Sequence, residues 1–169
     1  DSFGKLVEYM DAHYGVAVAS PRLMRWDFDK SIEREGVGNI KDGFTDTIDS
    51  LGLKVSRNRQ VVEYTSGVSW KKLQSTYDRM DISVFGVSGA LPLFRRSALD
   101  TIAFDDGTIF DEIYHAYKED VDVAFRLRSA GYEAVVVLDA VAYHDRSARG
   151  ADDSSDRAAA HNKKTQSEW

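Results

Sequence analysis

The chain predicts an α/β layered domain built on a mixed sheet. Three observations carry this. A β-branched run, Val16 to Ala19, follows an amphipathic helix; a second, Val135 to Leu138, follows another; Ile82 to Val87 stands between them as a further strand. Strands alternating with helices define the class. The 169 residues suit one domain, and a 43% hydrophobic content is enough to build a core.

Each element has its own local reason. Phe3, Leu6, Val7 and Met10 recur at helical spacing, so a helix is expected from about Ser2 to His13, stopped at Gly15. Val16 to Ala19 reads as a buried strand closed by Pro21, and Leu23 to Trp26 as a second short strand. From about residue 27 to 75 the pattern breaks. Gly36, Gly38, Gly43, Gly52 and Gly67 punctuate it, which predicts a long irregular insertion with a short hairpin near Val61 to Tyr64. Ile82 to Val87 then reads as a central strand, followed by a tight turn at Ser88-Gly89-Ala90.

Arg95 opens a short helix, and Asp105-Asp106-Gly107 is a turn. Glu119 starts an acidic helix that stops at Gly131. Val135 to Leu138 and Ala140 to His144 read as two strands. Residues 1–144 form the expected domain and 145–169 a polar tail, in which large apolar residues are lacking until Trp169. The chain opens without Met, inside its first helix, which suggests a piece of a longer protein.

Bulk properties exclude several classes. A net charge of -6 argues against nucleic-acid binding, which needs a basic face. The absence of Cys removes disulfides, zinc–thiolate centres and thiol catalysis, and fits a reducing compartment. No apolar run is long enough to cross a bilayer, and no signal peptide is visible.

Candidates for chemistry are few. Glu119, Asp120 and Asp122 crowd one helix start, where free amides and the helix dipole favour anions. Asp120 there suits a general base; the same letters also suit a first-turn acid that only stabilises its helix. His144, after an apolar strand, suits a divalent cation as a neutral imidazole, or is a structural histidine. Ser88, Gly89 and Ala90 leave room for a ligand at a strand end. Arg95, Arg96, Arg146 and Arg149 carry forks that match phosphate, though most arginines pair locally. Trp26, Trp70 and the tyrosines suit sugar stacking or core packing. No phosphate-binding GxxxxGK[ST] loop occurs.

Several runs in order resemble one family. They are Gly86 to Leu99 (Gly-Val-Ser-Gly-Ala-Leu-Pro-Leu-Phe-Arg-Arg-Ser-Ala-Leu), Phe110-Asp-Glu, Glu119 to Tyr132 (Glu-Asp-Val-Asp-Val-Ala-Phe-Arg-Leu-Arg-Ser-Ala-Gly-Tyr) and Asp139 to His144 (Asp-Ala-Val-Ala-Tyr-His). They look like the C-terminal part of an inverting family-2 glycosyltransferase, nearest in flavour to the bacterial rhamnosyltransferase-like branch that builds cell-surface polysaccharide. Phe3 to Asp27, with Ala19-Ser-Pro-Arg-Leu23, resembles the segment that follows the metal-binding aspartate motif there. The resemblance leaves out about residues 30 to 75.

The resemblance implies a GT-A fold, a Rossmann-like mixed sheet flanked by helices. It implies Asp120 as the base on an acceptor hydroxyl, and His144 on a divalent cation, Mn2+ or Mg2+. Ser88, Gly89 and Ala90 would border the pockets, and Arg96 and Glu119 would contact substrate. The partners implied are a nucleotide-sugar donor and a glycan or lipid-linked acceptor. The expected location is cytoplasmic, at the inner face of the membrane.

One departure counts against this. The family's first strands and its Asp-x-Asp metal motif are expected before Asp1, and Asp27-Phe28-Asp29 has those letters in the wrong place. The chain alone is therefore expected to be inactive, with uncovered sheet edges that invite self-association. Two other readings stand beside this one: a noncatalytic glycosyltransferase-like module that binds carbohydrate or protein, and a small phosphohydrolase using Asp120, His144 and a metal.

Overall fold

The structure, a computed structural model, describes residues 1–27, 30, 39–114 and 118–145. Within them the chain is an α/β protein with a curled mixed sheet. The elements are α1 (Ser2–Ala12), β1 (Val16–Trp26), β2 (Phe44–Ser50), β3 (Leu53–Val55), β4 (Val61–Glu63), α2 (Trp70–Leu73), β5 (Asp81–Val84), β6 (Leu93–Phe94), α3 (Arg96–Ile102), α4 (Glu119–Ser129) and β7 (Glu133–His144). The main sheet runs β2-β1-β7-β5, with β6 also paired to β1; β3 and β4 form a separate hairpin. β1 and β7 are parallel, and every other pairing is antiparallel.

The sheet is buried on both faces. On β7, Val135 and Val137 pack against Leu6 and Met10 of α1. Ala134, Val136 and Leu138 face the other way, towards Ala98 and Ile102 of α3 and Val123 and Leu127 of α4. This is the period of two expected of a strand, and both sets are apolar because helices cover both sides.

Three sequence expectations need correction. The runs on either side of Pro21 are one strand, not two. Proline cannot donate a ladder hydrogen bond, so within a sheet it sits at an edge or an irregularity. Here the pairing of β1 with β7 slips between Pro21, opposite Val137, and Arg22, opposite Val141. That slip absorbs the residues around Asp139, which is why β7 is also one strand rather than two. Second, the segment placed at 27–75 is not an irregular insertion where it is described: β2 is a strand of the main sheet, beside the β3–β4 hairpin and α2. Third, β5 ends at Val84 and stands at one end of the β2-β1-β7-β5 order rather than at its centre.

Beyond Val84 the chain turns to bond with the hairpin. Leu53 donates to the Gly86 carbonyl at 2.8 Å, and Phe85 donates back to Leu53 at 3.1 Å. The first helix, the helix that Arg95 caps, the turn at Gly107 and the acidic helix all form where the sequence places them.

Candidate active site

Helix α4 is fixed before its acids can do anything. Asp122 accepts from Arg126 Nε at 2.9 Å and Nη2 at 2.7 Å, and Arg126 Nη1 donates to the Ile102 carbonyl at 2.7 Å. Arg128 Nε donates to the Phe85 carbonyl at 3.1 Å. The arginines of one helix thus clamp α3 and the segment after β5. Asp122 has a structural task, which leaves Glu119 and Asp120.

Asp120 sits where α4 meets the turn after β5. Its Oδ2 accepts from the Gly89 backbone N–H at 3.2 Å, and its Oδ1 accepts from Val121 N–H at 2.8 Å. Two amides orient the carboxylate, and each oxygen keeps a further lone-pair site for a proton. Lys118, just ahead, holds φ 77°, an uncommon left-handed value for a side-chain-bearing residue.

Glu119, Asp120 and Gly89 line a cavity of about 280 Å³. Its other walls are largely apolar and include Phe85, Phe94, Phe110 and Tyr132. One oxygen of Glu119, Oε2, is buried without a hydrogen-bond partner among the described residues. A buried acceptor left unmatched costs about 1–3 kcal/mol. A ligand that donates a hydrogen bond there would recover it.

The remaining sequence candidates are placed as follows. Ser88 is buried beside the cavity and Ala90 is exposed; neither lines it. Arg96 is 86% exposed in its side chain and pairs with Asp100 at 2.7 Å, away from the cavity lining. Arg95 spends its guanidinium on backbone carbonyls, with Nε on Val16 at 3.0 Å. Trp70 stacks on Tyr77, with the Arg22 guanidinium 3.9 Å above its ring, so it packs rather than offering a sugar platform. Phe28, Asp29, Arg146 and Arg149 lie outside the described residues.

His144 is not among the residues that line the cavity. It ends β7, and its Nδ1 lies 2.9 Å from Oδ2 of Asp49 on β2. The Asp49 side chain has no exposed surface, and its Oδ1 lies 3.7 Å from Arg25 Nε. Sequence reasoning missed Asp49 because it fell in the segment read as irregular. The β-branched Thr45, Thr47 and Ile48 just ahead of it were the available strand signal.

The donor set suits one cation ligand. An imidazole backed by a carboxylate is the usual arrangement behind a metal-bound histidine. No group of three or more metal-ligating side chains occurs among the described residues.

The fold and site therefore define an α/β domain with an acid-edged, largely apolar cavity and a separate carboxylate–imidazole pair. Comparison of the chain with protein-family models, curated proteins and solved structures returns no match. No helix among the described residues is long and apolar enough to cross a membrane.

Proposed function

We propose that this chain belongs to an inverting glycosyltransferase of GT-A type, one that moves a sugar from a nucleotide-diphosphate donor to a hydroxyl of a glycan or lipid-linked acceptor. The observation that carries the reading is Asp120, held by the Gly89 amide at the rim of the cavity. Its support is the resemblance in the runs Gly86 to Leu99, Glu119 to Tyr132 and Asp139 to His144.

In this reading the cavity takes the acceptor. Asp120 removes the hydroxyl proton as the acceptor oxygen bonds to the anomeric carbon. The bond from that carbon to the donor diphosphate breaks, and the configuration inverts. Glu119 Oε2 receives a donor hydrogen bond from the acceptor and helps orient it. His144 is the proposed ligand of a divalent cation, which when bound would offset the charge of the diphosphate. Catalysis on lipid-linked acceptors would place the protein at the inner face of a membrane.

The test is a donor screen on the full-length protein with manganese or magnesium, scored by released nucleoside diphosphate. Release that depends on both acceptor and Asp120 supports the reading. Release from no donor across the panel, with the protein folded, removes it.

A further inference from the structure

Asp49 is an unusual residue to bury. Its side chain is 0% exposed, and a carboxylate taken wholly out of water costs several kcal/mol unless it is paired and hydrogen-bonded. One partner, hydrogen-bonded at 2.9 Å, is His144, 95 residues later in the chain. The two stand on β2 and β7, which are not neighbours, because β1 runs between them. Strands two apart lie about 9–10 Å from each other, so both side chains must lean across Arg25, the β1 residue opposite His144.

A local irregularity makes this reach possible. Ser50 lies opposite Leu23 and Ile48 opposite Met24, so one step along β1 matches two along β2. Asp49 is the extra residue of that bulge. Bulges re-aim a side chain that a regular ladder would fix to one face. The same residue therefore combines complete burial, a break in the ladder and a contact across an intervening strand.

The hydrogen bond also determines the imidazole. With Asp49 as a carboxylate, which accepts and does not donate, His144 Nδ1 carries the ring hydrogen. In the neutral ring Nε2 then holds the lone pair. Nε2 has no partner among the described residues, and the His144 side chain is 40% exposed. Arg25 Nε lies 3.7 Å from the other carboxylate oxygen and helps hold the Asp49 side chain in place.

We propose that Asp49 is a positioning residue that holds His144 with its Nε2 lone pair presented to a divalent cation. This rests on the reading of His144 as a cation ligand and adds what sets its tautomer and direction. A purely structural tie between β2 and β7 would need the same hydrogen bond but not a ring left 40% exposed.

Two measurements test it, both on the chain alone. The first reads the His144 ring nitrogens by 15N NMR at a pH where the ring is neutral. The Nδ1–H tautomer is expected, and an Nε2–H tautomer overturns the proposal without any variant being made. The second adds manganese alone and follows paramagnetic broadening of the His144 ring signals. Wild type should broaden saturably, and Asp49→Asn should weaken the apparent affinity by about 10–100-fold while keeping its cooperative melt. Should Asp49→Asn fail to fold, Asp49→Glu, which keeps the charge but lengthens the side chain, must show the weakening. Wild-type affinity in the folded variant overturns the role of Asp49 alone. No broadening of His144 in wild type removes the cation reading and this proposal together.

Discussion

Gly86 faces Ala124 so closely that a Cβ built on the glycine would stand 2.4 Å from the Ala124 Cβ. This contact lets α4 lie directly on the chain after β5. It brings Asp120, one helical turn from Ala124, to the Gly89 amide. The chemistry proposed for Asp120 thus depends on the absence of a side chain at Gly86.

Gly86→Ala should therefore destabilise the protein by about 1–3 kcal/mol, the usual range for an overpacked contact. The atom it meets is attached to helix backbone and cannot swing away. Urea unfolding would show a lower midpoint with an unchanged slope; an unshifted midpoint would contradict the close approach.

Asp120→Asn should leave the fold intact, because its one amide oxygen can still accept from Gly89 and only the local contact with the Val121 N–H is given up. Transfer by the full-length protein should fall by about 10²–10⁴-fold, the range of a lost general base. Donor affinity should barely move. Turnover near the wild-type rate would take the base role away from Asp120.

Glu119→Met exchanges a carboxylate with one buried, unmatched oxygen for an apolar side chain of similar length. Replacing an unsatisfied polar group in this way is neutral or stabilising. The thermal midpoint should hold or rise, while the Michaelis constant for the acceptor should increase. A marked loss of stability would mean that Glu119 is a structural acid.

Alkaline pH should expose two tyrosines. Burial, helped by Asp81, pushes Tyr9 up to about 12. Burial and a hydrogen bond with Tyr64 push Tyr77 to about 12. Both folded values stand above the unfolded value near 10. Their contribution to stability is therefore complete below about pH 10 and is lost as pH rises from 10 towards 12. Absorbance at 295 nm should show a late phase among the eight tyrosines, and Tyr9→Phe should reduce it. A single phase near pH 10 in the folded protein would refute the shift.

Much of the scaffold was legible because it is local. The apolar spacing of Leu6 and Met10 marks the buried face of α1. The valines from 135 to 137 mark a strand whatever lies around them. The crowd of acids at Glu119 marks a helix start, and Gly107 and Gly131 mark turns where φ is positive. Asp120 could be named for the same reason, since an anion at a helix start is a local preference.

What the letters alone could not supply was pairing. Thr45 to Ser50 carries only Ile48 as a large apolar residue, so it read as a loop. It is a strand because β1 offers it a ladder, and the hairpin closes over its end, where Ser50 bonds to Glu63 and Leu51 donates to the Tyr64 carbonyl. By itself the sequence determined the class of fold, most of its elements and an acid at the start of α4. Only the tertiary structure decided that Pro21 lies within one strand, that Gly86 admits α4, and that Asp49 reaches His144. Hydrophobic periodicity reports which face of a segment is apolar, whereas register, bulges and the partner of a buried charge are set by segments far away in the chain.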